Sequence, residues 1–313
     1  MKRVIIDTDT ASDDAVALLL ALRSLEIHVE AITIVGGNVD FDQQTENALY
    51  TVEVAGKSGQ VPVYCGARRP LVRPVHQTVQ HVHGRDGMGD SFFPRARQRP
   101  EKDHAVDAII SLVRRFPGEI SVVAIGPFSN VALAFLKAPE VCQKIAAIYF
   151  MGGTYMFQGN ITPAATYNPW VDPEAARIMV HSGVPLTMVG FDATCRYSVF
   201  TDADYEQVEK LGTPLGRFFV SINRTRRQFC KEKQRLAGSN HPDSLTMALF
   251  MAPSVATRVE KRFVDVEIAG ELTRGMLVID ELGVWGKEPN VNICVEANEK
   301  KFKELVFQTL RGA

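Results

Sequence analysis

The sequence predicts an α/β protein built on an open, mostly parallel, doubly wound sheet flanked by helices. Three observations predict it. Short β-rich runs alternate with helical patterns through the first two thirds of the chain. The runs are almost wholly apolar, as strands buried on both faces are. Between successive runs lies a segment with apolar residues three or four apart, so the βα unit repeats, and repeated βα units form parallel sheets.

In chain order, residues 4–7 read as the first buried strand and residues 12–23 as the helix that follows it. Residues 29–35 and 41–55 repeat the pair. An irregular stretch, 67–102, then carries Pro70, Pro74, Pro94 and Pro100, seven arginines, and His76, His81 and His83. A segment of that length without its own periodicity is typically functional, so it is expected to be a mobile lid over the strand ends. The helix at 103–116 starts at Asp103, a side chain that caps free N–H groups, and stops at Pro117-Gly118. Strands at 120–124, 146–151 and 186–189 alternate with helices at 130–137 and 172–181. The last third differs, with a helix-rich segment at 202–251, small extra strands at 263–269, 275–279 and 291–295, and a closing helix at 299–310. No repeat or linker interrupts the chain, so residues 1–313 are expected to form a single domain.

Composition narrows the function. With 46% hydrophobic and 23% charged residues, 313 residues can bury a large core. A formal net charge of −1, from 35 basic and 36 acidic side chains, provides no global field to recruit nucleic acid or anionic lipid. Cys65, Cys142, Cys195, Cys230 and Cys294 are scattered and odd in number, with no Cys-x-x-Cys pair. That is the pattern of reduced thiols in a cytosolic protein. The chain runs from Met1-Lys2-Arg3 straight into its first strand, and no apolar stretch reaches about 18 residues. A soluble, cytoplasmic protein without membrane contact is expected.

The chemistry is concentrated at the start. Asp7, Asp9, Asp13 and Asp14 lie within eight residues, between a strand and an apolar helix. In a strand, Asp7 and Asp9 share a face; Asp13 and Asp14 fall in the first helical turn, where free N–H groups favour negative charge. Helix capping and dipole pairing explain one or two of these carboxylates. Four repel each other unless a hard cation or raised pKa values relieve the charge. Oxygen-only donors, with no Cys or His nearby in sequence, favour calcium or magnesium over zinc. Ala11 and Ser12 exclude an EF-hand. A second acidic element, His241-Pro242-Asp243, opens the apolar helix at 245–251; it is either a simple N-cap or a distant part of the same site. Gly36-Gly37-Asn38, Met151-Gly152-Gly153, Asn160 and Thr166-Tyr167-Asn168 follow strand ends, and their amides and hydroxyls suit a polyol such as ribose.

These residues resemble the inosine–uridine nucleoside hydrolases, calcium-dependent N-ribohydrolases, along essentially the whole chain. The family's opening Asp-x-Asp-Pro-Gly-x-Asp-Asp-Ala stands here as Asp7-Thr8-Asp9-Thr10-Ala11-Ser12-Asp13-Asp14-Ala15. Gly37-Asn38, His83-Gly84, Gly126-Pro127-x-Ser129-Asn130, Met151-Gly152-Gly153, Gly159-Asn160, Asn168 with Asp172-Pro173-Glu174-Ala175-Ala176, and Asp192-x-Thr194 continue the match in order. The resemblance implies hydrolysis of ribonucleosides to base and ribose. It makes Asp9 the general base and a calcium ligand, with Asp14, Asp243 and the Ile125 carbonyl as the other protein ligands. Asp13, Asn38 and Asn168 would hold the ribose hydroxyls, Asn160 the 5′-hydroxyl, Met151 would pack on the sugar, and His83 would approach the base. A homodimer or homotetramer is expected by the same analogy.

The chain departs from the family pattern at three points. Thr10-Ala11 replaces Pro-Gly. Thr166 stands where a ribose-contacting glutamate is usual, and a lost charged hydrogen bond is worth about 1.5–3 kcal/mol. Pro242 stands on the family's histidine, so His241 is the candidate acid for the leaving base. Two other readings follow. Thr166 and Pro242 suit a nucleoside-binding relative with impaired catalysis, although Asp9 is a base that such a protein has no use for. Asp7-Thr8-Asp9-Thr10 also resembles the nucleophile motif of haloacid-dehalogenase-type phosphatases, but their later Gly-Asp-x-x-x-Asp is missing.

Overall fold

The computed structural model describes residues 1–74, 77–156 and 158–312. The chain enters a nine-stranded sheet as β1 (Lys2–Thr8) and winds outward through α1 (Ser12–Arg23), β2 (Ile27–Ile34), α2 (Phe41–Val54) and the edge strand β3 (Val63–Cys65). It passes a one-turn helix, α3 (Gln80–His83), and α4 (Ala105–Arg115), and returns on the other side of β1 as β4 (Ile120–Ala124). From there it winds the opposite way through α5 (Ser129–Lys137), β5 (Ala147–Met151), α6 (Tyr167–Val171), α7 (Pro173–Val180) and β6 (Leu186–Val189). All of these strands run parallel.

The remainder adds α8 (Phe191–Tyr197), then a separate antiparallel pair, β7 (Val199–Thr201) with β8 (Gly238–Asn240). Between those two strands come α9 (Asp202–Lys210), α10 (Pro214–Ile222) and α11 (Arg224–Glu232). The chain ends with α12 (Pro242–Met251), β9 (Ala256–Val266), β10 (Leu277–Asp280), β11 (Val291–Ala297) and α13 (Glu299–Arg311). β11 extends the parallel sheet beside β6, and β9 pairs antiparallel with both β11 and β10. The predicted fold class is the observed one.

Period-two alternation divides the core. Ile5, Val122 and Ile148 face the layer of α4, α5 and α7, whereas Val4, Ile6 and Val123 face that of α1, α2, α12 and α13. α1 is buried from Ser12 to Leu22 because it is apolar almost all round and packs between the sheet and α12. Among the described residues, no helix is long and apolar enough to cross a membrane.

Several local expectations change. β3 is a three-residue strand inside a stretch without periodicity. The cap of α4 is His104, whose Nδ1 accepts from the Val106 N–H, rather than Asp103. Much of 67–102 is tied down. The Asp86 carboxylate accepts from the N–H groups of Met88, Asp90 and Phe92, and Arg224 donates to the carbonyls of Gly89 and Asp90. His76, named with that segment, lies outside the described residues.

Asp7 separates from the other opening carboxylates. Its Oδ1 accepts from Thr33 Oγ1 at 2.6 Å and from Asn130 Nδ2 at 2.8 Å, which ties β1 to β2 and to the start of α5. Its Oδ2 is buried without a partner, and burial pushes its pKa up to about 7. The folded protein therefore keeps this proton at pH values where the unfolded chain has released it, so stability falls as pH rises from about 4 to 7, by on the order of 4 kcal/mol from this group. Asp7→Asn is expected to flatten that part of the profile; urea unfolding measured from pH 4 to 8 tests it, and an unchanged slope would contradict the assignment.

Candidate active site

Where winding reverses, between β1 and β4, two successive loops part and leave a crevice at the carboxyl ends of the strands. β1 ends at Thr8, so Asp9 lies just beyond the strand at the carboxyl edge of the sheet; it and Asp14 are buried and neither lines the cavity, whereas Ile125, just after β4, does. Asp13, Asn38, His83, Ile125, Met151, Asn160, Asn168 and Asp243 all line the resulting cavity, together with Arg226, Tyr167, Phe229 and Gln234.

Oxygen atoms of Asp13, Asp14 and Asp243 converge within 4.8 Å of one another, although α12 lies far along the chain from α1. Asp14 is held by Thr8 Oγ1 at 2.6 Å and by the Ala11 N–H at 3.0 Å. Burial, reinforced by Asp13, raises its pKa to about 7. Asp243 is raised well above the carboxylate range by burial and then by Asp13 and Asp14. For Asp13, burial acts upward but the Arg226 guanidinium, 3.0 Å from its Oδ2, prevails and holds it below its usual value. Asp9 is raised by burial and by Asp14; its Oδ2 accepts from the Asn38 N–H at 3.0 Å, while its Oδ1 is buried with no partner. The cluster thus has one charge compensated by the chain and orphaned oxygen donors beside it, which fits a hard cation.

Two amides frame the cluster. Asn38 Nδ2 donates to the Asp9 carbonyl and to Asp14 Oδ2. Asn168 Nδ2 donates to the Ile125 carbonyl at 2.8 Å and to the Met151 carbonyl at 3.1 Å. Asn160 Oδ1 accepts from the Tyr167 N–H at 2.9 Å.

The histidines behave differently from expectation. His83 lines the cavity, but Nδ1 meets Ser12 Oγ at 2.9 Å and Nε2 meets Arg226 Nη1 at 3.5 Å. Burial pushes its pKa down to about 3, so the ring is neutral. His241 does not line the cavity. It is stacked on Phe219, edge-on to Phe200, and bonded through Nε2 to Ser239 Oγ at 3.0 Å, with burial pushing its pKa to about 3. Pro242 occupies the lining in its place. The expected acid role of His241 is therefore corrected: its residue neighbours point it into an aromatic box. Thr166 is likewise outside the lining, because its Oγ1 accepts from the Gly153 N–H at 2.6 Å and supports the loop after β5.

Arg226 is the residue that sequence reasoning did not single out. A signal was present. Arg226 and Cys230, four apart, form the buried face of α11, so a guanidinium shares a stripe with a buried thiol. Its other contacts, to the carbonyl and Oδ1 of Asn240, come from β8.

A crevice of buried carboxylates and amides at the switch point of a parallel sheet defines an α/β enzyme whose site is built from oxygen donors. The chain belongs to the inosine-uridine preferring nucleoside hydrolase family, whose sequence profile matches residues 4–304. It is accordingly an enzyme of the nucleoside hydrolase type. It is similar to a pyrimidine-specific ribonucleoside hydrolase, RihA, of Enterobacter sp. (strain 638), at 35% identity over 98% of this chain and 97% of the relative. Among solved structures it is similar to a plant nucleoside hydrolase, the PpNRh1 enzyme, with a TM-score of 0.93 and 30% identity over 100% of this chain and 99% of the other. It is also similar to a purine-preferring ribonucleoside hydrolase from Gardnerella vaginalis, with a TM-score of 0.92 and 29% identity over 99% and 98% of the two chains.

The loop after β2 must pass very close to Asp9. A Cβ on Gly37 would stand 2.0 Å from Asp9 Oδ2 and 2.7 Å from Asp9 Cβ. A misplacement of about 1 Å in an active site can reduce turnover roughly a hundredfold. Gly37→Ala is therefore expected to lower nucleoside hydrolysis by about that factor, measured as kcat/KM; full activity would show that Asp9 need not occupy this position.

Proposed function

We propose that the protein cleaves the N-glycosidic bond of ribonucleosides to free base and ribose with Asp9 as general base, in a calcium site formed by Asp9, Asp14, Asp243 and the Ile125 carbonyl. The observation that carries this reading is the convergence of oxygens of Asp13, Asp14 and Asp243, of which Asp13 and Asp243 line the same cavity as Asn38 and Asn168, together with Asp9, whose Oδ1 has no partner and whose carboxyl feels the charge of Asp14. Calcium is favoured because the donors are oxygens and the nearby His83 nitrogens are engaged elsewhere. When bound, the cation would orient a water and the sugar diol and lower the water's pKa.

In the reaction the water oxygen forms a bond to C1′ as the bond from C1′ to the base nitrogen breaks, and the departing nitrogen takes the bonding pair. Asp9 receives the water proton on its carboxylate, which burial pushes towards the neutral form and a bound cation would keep ionised. Asp13, Asn38 and Asn168 hold the ribose hydroxyls, Asn160 the 5′-hydroxyl, and Met151 packs against the ring. Fixing the sugar supplies the orientation that an oxocarbenium-like transition state needs. The carboxylates also stabilise positive charge developing at the sugar.

Removal of the base from Asp9 is expected to lower kcat by about 10²–10⁴-fold. Asp9→Asn, assayed by release of free base and reducing sugar from a panel of purine and pyrimidine nucleosides, tests this. Chelation should abolish wild-type activity and added calcium restore it. Turnover that survives both the substitution and the chelator would overturn the proposal, and binding without any turnover would favour the impaired relative.

A further inference from the structure

The sugar-binding reading leaves part of the cavity lining without a task. Val79, His81, Val82, Ile161, Phe229 and Gln234 line it, mostly apolar or aromatic. His81 stands edge-on to Phe229, with ring centroids 5.5 Å apart at 67°. A mostly apolar wall with few polar groups suits a nucleobase, and those polar groups then decide which base fits.

Gln234 is positioned by the way α11 ends. Lys233 caps the helix, the Leu236 N–H closes back on the Cys230 carbonyl at 3.1 Å, and Arg235 takes a left-handed conformation with φ 58. A non-glycine residue in that region is held there by its surroundings. The turn therefore holds Gln234 in the cavity wall. Its Oε1 is buried and has no hydrogen-bond partner. Buried acceptors in native proteins are almost always paired, so one that lines a binding cavity is an acceptor waiting for a ligand donor.

We propose that Gln234 is a specificity-determining residue for the leaving base, accepting a hydrogen bond from the ring N–H of an imide or lactam edge, such as uracil N3–H or hypoxanthine N1–H. The inference rests on the hydrolase reading above. One feature favours an oxo base over an amino base, since a carboxamide alone, with an acceptor beside a donor, pairs with either. Arg226 lines the same cavity, and its permanent cation favours ligand carbonyl oxygens over amino groups.

The experiment compares uridine with 3-methyluridine and inosine with 1-methylinosine, because methylation removes the donor and leaves the glycosidic bond untouched. Each pair is measured as kcat/KM in the wild-type enzyme and in Gln234→Leu, and as equilibrium binding in an Asp9→Asn background. The wild-type enzyme is expected to prefer the unmethylated member of at least one pair by about tenfold or more, since a site built to pair a donor rejects the analogue lacking it. Gln234→Leu should lower activity and affinity for the unmethylated nucleoside and bring the ratio close to one, with the unfolding midpoint preserved. A wild-type ratio near one for both pairs, or an undiminished ratio in Gln234→Leu, overturns the role of Gln234 alone. Failure of every nucleoside to bind or react overturns the hydrolase reading, and this inference with it.

Discussion

Charge crowding is the constraint on which the rest of the molecule depends. Asp9, Asp13, Asp14 and Asp243 are buried within reach of one another's charge, and four unscreened carboxylates cannot all be ionised there. The chain compensates one of them. Arg226 pairs with Asp13, and the others are pushed towards their neutral forms. This explains the otherwise puzzling last third. The antiparallel pair β7 and β8 positions Asn240, whose carbonyl and Oδ1 aim Arg226 at Asp13, and α12 starts just beyond it with Asp243. An appendage to the sheet thus delivers one guanidinium and one carboxylate to a site begun by β1.

The same burial governs the imidazoles. His83 and His241 are both fully desolvated next to Arg226, so burial and that cation combine to keep them neutral. Neither is a store of protons at neutral pH. A permanent guanidinium in such a place does what a histidine cannot, because its charge survives desolvation.

The layout of the fold was legible because long periodic segments carry their own evidence. The parallel strands read as apolar runs, and β1, α1 and α2 sit where the pattern puts them. Failures came where one residue's surroundings decide. Period two puts Asp7 and Asp9 on one face, yet β1 ends at Thr8, so Asp7 stays with Thr33 and Asn130 while Asp9 lies beyond the strand with its Oδ2 on the Asn38 N–H. His241 and Asp243 are near neighbours in sequence, but Pro242 begins α12 between them, and the imidazole falls on the aromatic side. β3 has three residues, too few for any periodicity. The orientation of Gln234 depends on a left-handed Arg235, which no local pattern announces.

These positions bear on how the base departs. As the glycosidic bond breaks, negative charge builds on the base, and a catalyst must either protonate it or spread that charge. His241 is enclosed by Phe200 and Phe219, and His83 has both nitrogens engaged, by Ser12 and Arg226. Arg226 holds its proton too tightly to give it up, but its field reaches into the cavity it lines. On the proposed hydrolase mechanism, stabilisation of the leaving base falls to this field, which works best for a base that carries its charge on carbonyl oxygens. On that reading the replacement of an imidazole by Pro242 leaves catalysis intact, since the cation paired with Asp13 lines the same cavity.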